Sequence, residues 1–154
     1  MDVSHIPGTL KKFGRTPWKF QSTFSTPLNE LDCFVSTILS TRTPIEQGCV
    51  AIDEVVFEPE RLIALLAQCS RPKLYGRDWC FTAVGRQHVQ ELLCAVFADW
   101  VDFLFVPTPK PFVIYADHDE YATFYANTKS NLNGVVSALL EACFEQVPNW
   151  KREL

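Results

Sequence analysis

Residues 101–126 read VDFLFVPTPKPFVIYADHDEYATFYA and contain three strand-like runs in succession. The runs at 101–106, 112–116 and 121–126 are rich in β-branched and aromatic residues, which favour strands. The first connection, PTPKP at 107–111, carries three prolines and is incompatible with a helix interior. The second connection has only the four residues DHDE. Because strands joined by short turns pair antiparallel, this stretch predicts an antiparallel sheet.

Helical periodicity lies on both sides of this stretch. Apolar residues recur at helical spacing from Val89 to Trp100, with polar residues opposite, and the pattern returns over 130–146. Two shorter helices are predicted, one after Thr26-Pro27 that ends before Pro44, and one after Glu58-Pro59 that ends before Pro72. The remaining predicted strands lie at 18–24, 49–57 and 79–84.

This element order predicts an α+β fold. We expect residues 17–154 to form a single domain in which three or four helices pack on one face of a mostly antiparallel sheet, as a single pair of layers. Residues 1–16 contain Pro7, Gly8 and Gly14 and are predicted to be an irregular N-terminal arm. The arm is basic, with three lysine or arginine residues against one acidic residue.

Composition narrows the classes of function. The chain has 154 residues, as expected for one domain, and a formal net charge of −4. An acidic balance argues against sequence-independent nucleic-acid binding, which depends on Lys and Arg. No apolar run approaches the roughly 18 residues of a membrane span, and the N-terminus lacks the apolar core of a secretory signal. We therefore expect a cytoplasmic protein with no membrane or nucleic-acid partner.

The six cysteines show no paired spacing of the C-x-x-C type and no histidine pair of the zinc-finger type. They are Cys33, Cys49, Cys69, Cys80, Cys94 and Cys143. Three of them fall in apolar positions of predicted helices or strands, where free cysteine is commonly buried. We interpret the six as reduced core thiols and predict neither a disulfide nor a bound metal or cofactor.

The DHDE connection is the main candidate site. A four-residue turn between two strands is a common hairpin length, and Asp suits turns because its carboxylate accepts backbone N–H bonds. The calcium-loop pattern of alternating oxygens, a central Gly and a distal Glu is absent, and His5, His88 and His118 are widely separated in sequence. Three interpretations remain open: a turn only, a turn whose acidic tip contacts a partner, and a metal or acid–base site.

The following strand, YATFYA, places Tyr121, Thr123 and Tyr125 on one face. Exposed tyrosines are typical interface anchors, whereas the same face would be buried if a helix packed on it. We assign no catalytic or metal-ligating set. The predicted partner-binding set is formed by the turn and this strand: Asp117, His118, Asp119, Glu120, Tyr121 and Tyr125.

No sequence motif names an activity. The nucleophile elbow, phosphate loop, dinucleotide fingerprint and H-E-x-x-H motif are all absent from the sequence. In size, acidity and lack of catalytic motifs the chain is similar to the class of small bacterial immunity and antitoxin proteins, which act by covering a toxin. The first hypothesis is therefore a module that binds a basic protein. The alternatives are a small enzyme that uses His118 with neighbouring carboxylates and a structural subunit of a homo-oligomer.

Overall fold

A seven-stranded sheet lies at the centre of the computed structural model, which describes residues 1–41 and 43–153. The strands are β1 (Asp2–His5), β2 (Phe20–Ser25), β3 (Gln47–Glu54), β4 (Trp79–Val84), β5 (Asp102–Thr108), β6 (Val113–Ala116) and β7 (Tyr121–Ala126). Within the described residues the α-helices are α1 (Thr9–Arg15), α2 (Leu31–Leu39), α3 (Glu60–Gln68), α4 (Arg86–Ala98) and α5 (Lys129–Glu141). A short 3₁₀ turn at Leu28–Glu30 leads into α2.

Every pair of neighbouring strands is antiparallel, in the order β1-β4-β3-β5-β6-β7-β2. The α+β class and the antiparallel sheet predicted from residues 101–126 are confirmed. The predicted three or four helices are corrected to five α-helices in the described residues.

The two faces of the sheet are covered by different helices. Side chains alternate along each strand, so that Phe103 and Phe105 of β5 face the core formed with α2, α3, α4 and α5. Leu104 faces the opposite side, where it belongs to a second cluster with Leu10 and Phe13 of α1. The expected single pair of layers is therefore corrected: α1 adds a layer over part of the second face.

Residues 1–16 differ from the irregular arm that was predicted. They contain β1, which extends the sheet beyond β4, and α1, which begins after Gly8 at a φ of 94°. In α1 only Leu10 and Phe13 are buried, so the helix shows a short apolar stripe. Pro7 and Gly8 lie directly before α1, with Gly8 at the N-cap position, and so they do not interrupt the helix.

The last helix is shorter than its periodicity suggested. Helix α5 ends at Glu141, and Cys143 adopts a left-handed φ of 67°. The chain then runs along the outer edge of β2, where Ser25 N donates to Glu145 O over 3.0 Å and Val147 N donates to Thr23 O over 2.8 Å.

All six cysteines carry free thiols. The expectation that they lie in the core holds for Cys80, which is buried, while Cys33 and Cys143 are exposed and the other three are intermediate.

Candidate partner-binding site at the end of the sheet

The DHDE segment forms the turn between β6 and β7. Asp117 N donates to Tyr121 O over 3.1 Å. The Asp117 carboxylate accepts from Asp119 N over 3.0 Å and from Tyr121 N over 3.3 Å. Glu120 adopts a left-handed φ of 73°. The turn interpretation therefore describes the backbone here, with Asp117 as the residue that organises it.

His118 is oriented by a carboxylate from another strand. Asp102, a buried residue at the start of β5, accepts hydrogen bonds at Oδ1 from His118 N over 2.7 Å and from His118 Nδ1 over 2.8 Å. A proton on Nδ1 leaves Nε2 free, 3.9 Å from Asp119 Oδ1. The hydrogen bond to Asp102 raises the pKa of His118 above its ordinary value, and the Asp119 charge adds to the effect.

Asp117 is already paired with a cation of its own chain. Arg152 Nη1 lies 2.5 Å from Asp117 Oδ2, and the two side chains are only 11% and 12% exposed. The Arg152 guanidinium also lies over the Tyr115 ring, 4.7 Å from its centroid, and its Nε donates to Thr123 Oγ1 over 3.2 Å. The Asp117 carboxylate is thus satisfied from within the molecule and contributes little charge to the surface.

The two tyrosines of the predicted set occupy different environments. Tyr121 is half-buried, with its ring 4.8 Å from that of Trp150. Tyr125 is 1% exposed and packs between Phe13 and Trp18, at ring distances of 5.2 and 6.1 Å. The expectation that Tyr125 contacts a partner is corrected, because α1 covers that face of β7.

The exposed part of the predicted set is its acidic tip. The Asp119 side chain is 75% exposed, and Glu120 is also exposed. Glu54, the exposed last residue of β3, is the register partner of Asp102 and lies at the same end of the sheet. We call this surface the acidic sheet end and define it by Glu54, Asp119 and Glu120, with the His118–Asp102 pair between them.

Asp53, the neighbouring carboxylate at this end of the sheet, is paired within the protein. Asp53 accepts a hydrogen bond from the Tyr115 hydroxyl over 2.5 Å and forms an ion pair with Arg77. Burial raises the pKa of Tyr115, which keeps the hydroxyl protonated and able to donate. The net negative charge is therefore concentrated at Glu54, Asp119 and Glu120.

Two residues that bind the turn from elsewhere in the chain, Asp102 and Arg152, were not predicted from the sequence. Asp102 did give a signal, since it is the single charged residue in the apolar run VDFLFV. Arg152 gave none, because its contact with Asp117 spans 35 residues.

A second concave surface lies between α2, α3 and α4. It encloses about 800 Å³ and is lined by Leu65 and Cys94 together with Arg61, Arg86 and Gln90. Asp32 and Glu91 also line it, so the two arginines are matched by two carboxylates. The charges in the lining of this groove therefore balance and favour neither an anionic nor a cationic ligand, in contrast to the acidic sheet end.

Comparison with known proteins gives no further guide to the chemistry. The chain matches no protein-family model, and no curated protein or solved structure shows significant similarity to it. Among the described residues, no group of three or more His, Cys, Asp and Glu side chains is arranged to hold a metal ion. None of the helices in those residues has the length and apolarity needed to cross a membrane.

Proposed function

We propose that this protein binds a basic protein through the acidic sheet end. The observation that carries the proposal is the exposure of Asp119 and Glu120, which form no ion pair with a lysine or arginine among the described residues. Glu54, exposed on a neighbouring strand, extends the same charge. An immunity or antitoxin role, in which a small acidic protein covers a basic toxin, is one form of this function.

Charge of this kind acts mainly on the rate of association. Exposed carboxylates of one sign steer a basic partner during diffusion, and the effect weakens as salt screens them. Such rim charges add little to the final affinity. Contact area would come from the half-buried Tyr121 ring and from Trp150, which lies against it.

His118 makes the proposed interaction dependent on pH. Its pKa is raised by the hydrogen bond to Asp102, so the imidazolium persists to a higher pH than that of a free histidine. When protonated, His118 offsets part of the carboxylate charge. Association with a basic partner is therefore expected to accelerate as the pH rises through the His118 pKa, and His118→Asn should remove that dependence.

The test is affinity capture from an extract of the cells that make the protein, at low and high salt. The wild type is compared with Asp119→Lys/Glu120→Lys, which reverses the exposed charge. The matched control is Glu91→Lys/Glu141→Lys, which makes the same charge change at exposed positions of α4 and α5. We expect a basic partner to be recovered at low salt by the wild type and by the control, and lost from the hairpin variant, because its two introduced lysines repel a basic surface. High salt should reduce that difference between the proteins.

Equal recovery by all three proteins would reject the acidic sheet end as the binding surface. Recovery of further copies of the chain alone would favour a structural subunit of a homo-oligomer instead.

The second candidate function is an acid–base enzyme, and the His118–Asp102 pair favours it. A buried carboxylate that holds Nδ1–H leaves Nε2 as a base directed outward, an arrangement that general-base histidines use. Turnover by such an enzyme would be lost in His118→Ala and retained in Glu120→Lys, because Glu120 makes no contact with the His118 ring among the described residues. Partner capture shows the opposite pattern, so the two variants separate the candidates.

A further inference from the structure

Three large apolar side chains are exposed on two loops beside the acidic sheet end. Residues 55–59 connect β3 to α3, and residues 69–78 connect α3 to β4. The exposed side chains are those of Val56, Phe57 and Leu74, and Phe57 is the most exposed of them at 54%. Single exposed apolar residues are ordinary on a protein surface, whereas a group of them marks a contact site. These residues are therefore a candidate contact site if the two loops are adjacent.

The two loops are adjacent and hold each other in place. Lys73 Nζ lies 3.6 Å from Glu58 Oε1, and these residues are chain neighbours of two of the exposed apolar residues. The second loop is also tied to β3, because Asp78 N donates to Ile52 O over 3.0 Å. Tyr75, in the same loop, packs against the main core. The apolar side chains are thus presented on a backbone that is ordered before any partner binds.

An open concavity of about 430 Å³ lies between the loops and is lined by Val56, Phe57 and Tyr75. We call these three residues the apolar loop surface. Tyr75 is half-buried, whereas the other two side chains are exposed. Because more than half of Phe57 is open to solvent, a partner that covers it removes a large apolar area from water.

Carboxylates dominate the charged lining of this concavity. Asp53, Glu54 and Glu58 line it together with one guanidinium, that of Arg77. Arg77 forms an ion pair with Asp53, and Lys73 forms one with Glu58. Glu54 is exposed and forms no ion pair with another of the described residues. The surplus charge is negative, so the concavity favours a partner segment that is basic as well as apolar.

Glu54 also belongs to the acidic sheet end, so the two surfaces are continuous. Phe57 follows Glu54 by three residues, and three residues of chain span at most roughly 11 Å. Asp102, the register partner of Glu54, holds His118, which directly precedes Asp119. A short segment of one partner can therefore contact the carboxylates and the apolar loop surface together.

We propose that the apolar loop surface is the anchor site for the basic partner, and that the partner inserts a leucine- or phenylalanine-sized side chain from a segment rich in lysine and arginine. This inference rests on the proposed function, because the acidic sheet end supplies the charge that attracts the same segment. Exposed carboxylates speed encounter but add little affinity. Burial of Phe57 supplies the contact area, and the ordered loops lose little conformational freedom on binding.

The test measures the binding of three model peptides to the full chain by fluorescence anisotropy. The first is an amphipathic peptide of lysine and leucine, the second has serine in place of every leucine, and the third has glutamate in place of every lysine. The wild type is expected to bind the first roughly tenfold more tightly than the second, and the third least. Phe57→Ser should bind the first two peptides alike, and Val56→Ser should reduce the preference between them.

Leu140→Ser is the matched control, because it removes an apolar side chain of similar exposure, 46%, from α5. It should keep the preference of the wild type, and urea midpoints confirm that each variant is folded. The proposal is overturned if Phe57→Ser keeps the preference, if Leu140→Ser loses it, or if the wild type binds the glutamate peptide as well as the first. If Phe57→Ser does not fold, Val56→Ser decides between the same outcomes.

Failure of this inference and failure of the proposed function give different results. If Asp119→Lys/Glu120→Lys binds both lysine peptides as the wild type does while Phe57→Ser loses the preference, the acidic sheet end is rejected and the apolar loop surface stands. The reverse pattern overturns the apolar loop surface and leaves the acidic sheet end. Self-association of the wild type in sedimentation, lost in Phe57→Ser, would also overturn the proposal, because the occupant would then be a second copy of the chain.

Discussion

Gly48 shows how closely the core is packed at the level of one residue. A Cβ atom on Gly48 would lie 2.3 Å from Cε2 and 2.7 Å from Cζ of Phe105, a fully buried ring on the neighbouring strand. We expect Gly48→Ala to destabilise the protein by about 1–3 kcal/mol through overpacking. The matched control is Gly134→Ala in α5, where open space surrounds the new methyl group, and which should stabilise by about 0.4–1 kcal/mol. Urea denaturation measures both; an unchanged midpoint for Gly48→Ala would contradict the close contact.

The His118–Asp102 pair predicts a pH dependence of stability. The pKa of His118 is raised in the folded protein, first by its hydrogen bond to Asp102, so the folded state binds the proton more tightly than the unfolded state. The pair therefore stabilises fully below the unfolded pKa of about 6.5, and this contribution is lost as the pH rises through the folded pKa. Because His118 is one-third exposed, the effect is expected to be small.

The measurement is the difference in urea midpoint between the wild type and His118→Asn at pH values from about 5 to about 9. The difference should shrink as the pH rises. His88→Asn is the control, because the His88 ring forms its hydrogen bond with the backbone carbonyl oxygen of Val84, the last residue of β4, and not with a carboxylate. A difference that grows with pH would mean that the interaction has the opposite sign.

The role of a residue could be predicted where it depends on neighbours in the sequence. It could not be predicted where it depends on which strands and helices pack together. The turn formed by DHDE follows from its length and its aspartates. The partner of His118 is Asp102 rather than an adjacent carboxylate, and only the pairing of β5 with β6 brings the two together. The burial of Tyr125 depends in the same way on α1, which the sequence did not reveal as a helix.

Within helix α5, two adjacent leucines lie in different environments. Leu139 is fully buried against the sheet, while Leu140 is 46% exposed, although the periodicity placed both on the apolar face. We expect Leu139→Ala to cost about 2–5 kcal/mol, because it leaves a cavity in the core. Leu140→Ala should cost at most about 0.5 kcal/mol. Equal losses in the free energy of unfolding would show that the helix is rotated relative to the structure.

Helix α3 receives its N-terminal cap from another helix. Its own preceding residue, Pro59, offers no side-chain acceptor. Asp99, at the end of α4, accepts from Arg61 N over 3.2 Å and from Leu62 N over 2.8 Å. We expect Asp99→Ala to reduce the free energy of unfolding by about 0.5–2 kcal/mol.

A second variant, Asp99→Asn, separates the charge of Asp99 from its hydrogen bonds to α3. Burial raises the pKa of Asp99, so the charged form is disfavoured. The neutral amide of Asp99→Asn keeps one acceptor oxygen for Leu62 N but turns its NH2 group toward Arg61 N, so it should lose one of the two hydrogen bonds and cost less than Asp99→Ala. A loss as large as that of Asp99→Ala would indicate that the charge, rather than the hydrogen bonds, stabilises the start of α3.

Elements with a strong internal pattern could be located from the sequence. The predicted strands 79–84 and 121–126 coincide with β4 and β7, since each is a run of β-forming residues bounded by turns. Strand β1 could not be found, because it has four residues, mostly exposed, and gains its hydrogen bonds from β4 rather than from its own composition. Helix α5 was placed too long because Phe144, on the same stripe, is buried after the helix has ended.

For the whole molecule, the two edges of the sheet are protected differently. The β1 edge is short, and Asp2 adds a charge there, which discourages pairing with another chain. The β2 edge is covered by the C-terminal segment, residues 142–153, through the backbone bonds of Glu145 and Val147. This segment then reaches the α1 face, where Arg152 meets Asp117 and Thr123. It thereby joins the helix layer, the sheet edge and the hairpin turn.

The Arg152–Asp117 pair is expected to hold that segment in place, and a double-mutant cycle tests it. Both side chains are about nine-tenths buried, so Arg152→Ala leaves an uncompensated carboxylate and should cost up to about 3–5 kcal/mol. Asp117→Asn in the same chain should recover part of that loss, because the buried charge is gone while one oxygen remains for the turn amides. The coupling energy expected from urea denaturation is about 0.5–3 kcal/mol. Lys151→Ala, at an exposed neighbouring position, should change stability by no more than about 0.5 kcal/mol. Strictly additive losses would show that Arg152 stabilises the segment through its other contacts, over the Tyr115 ring and to Thr123, and not through Asp117.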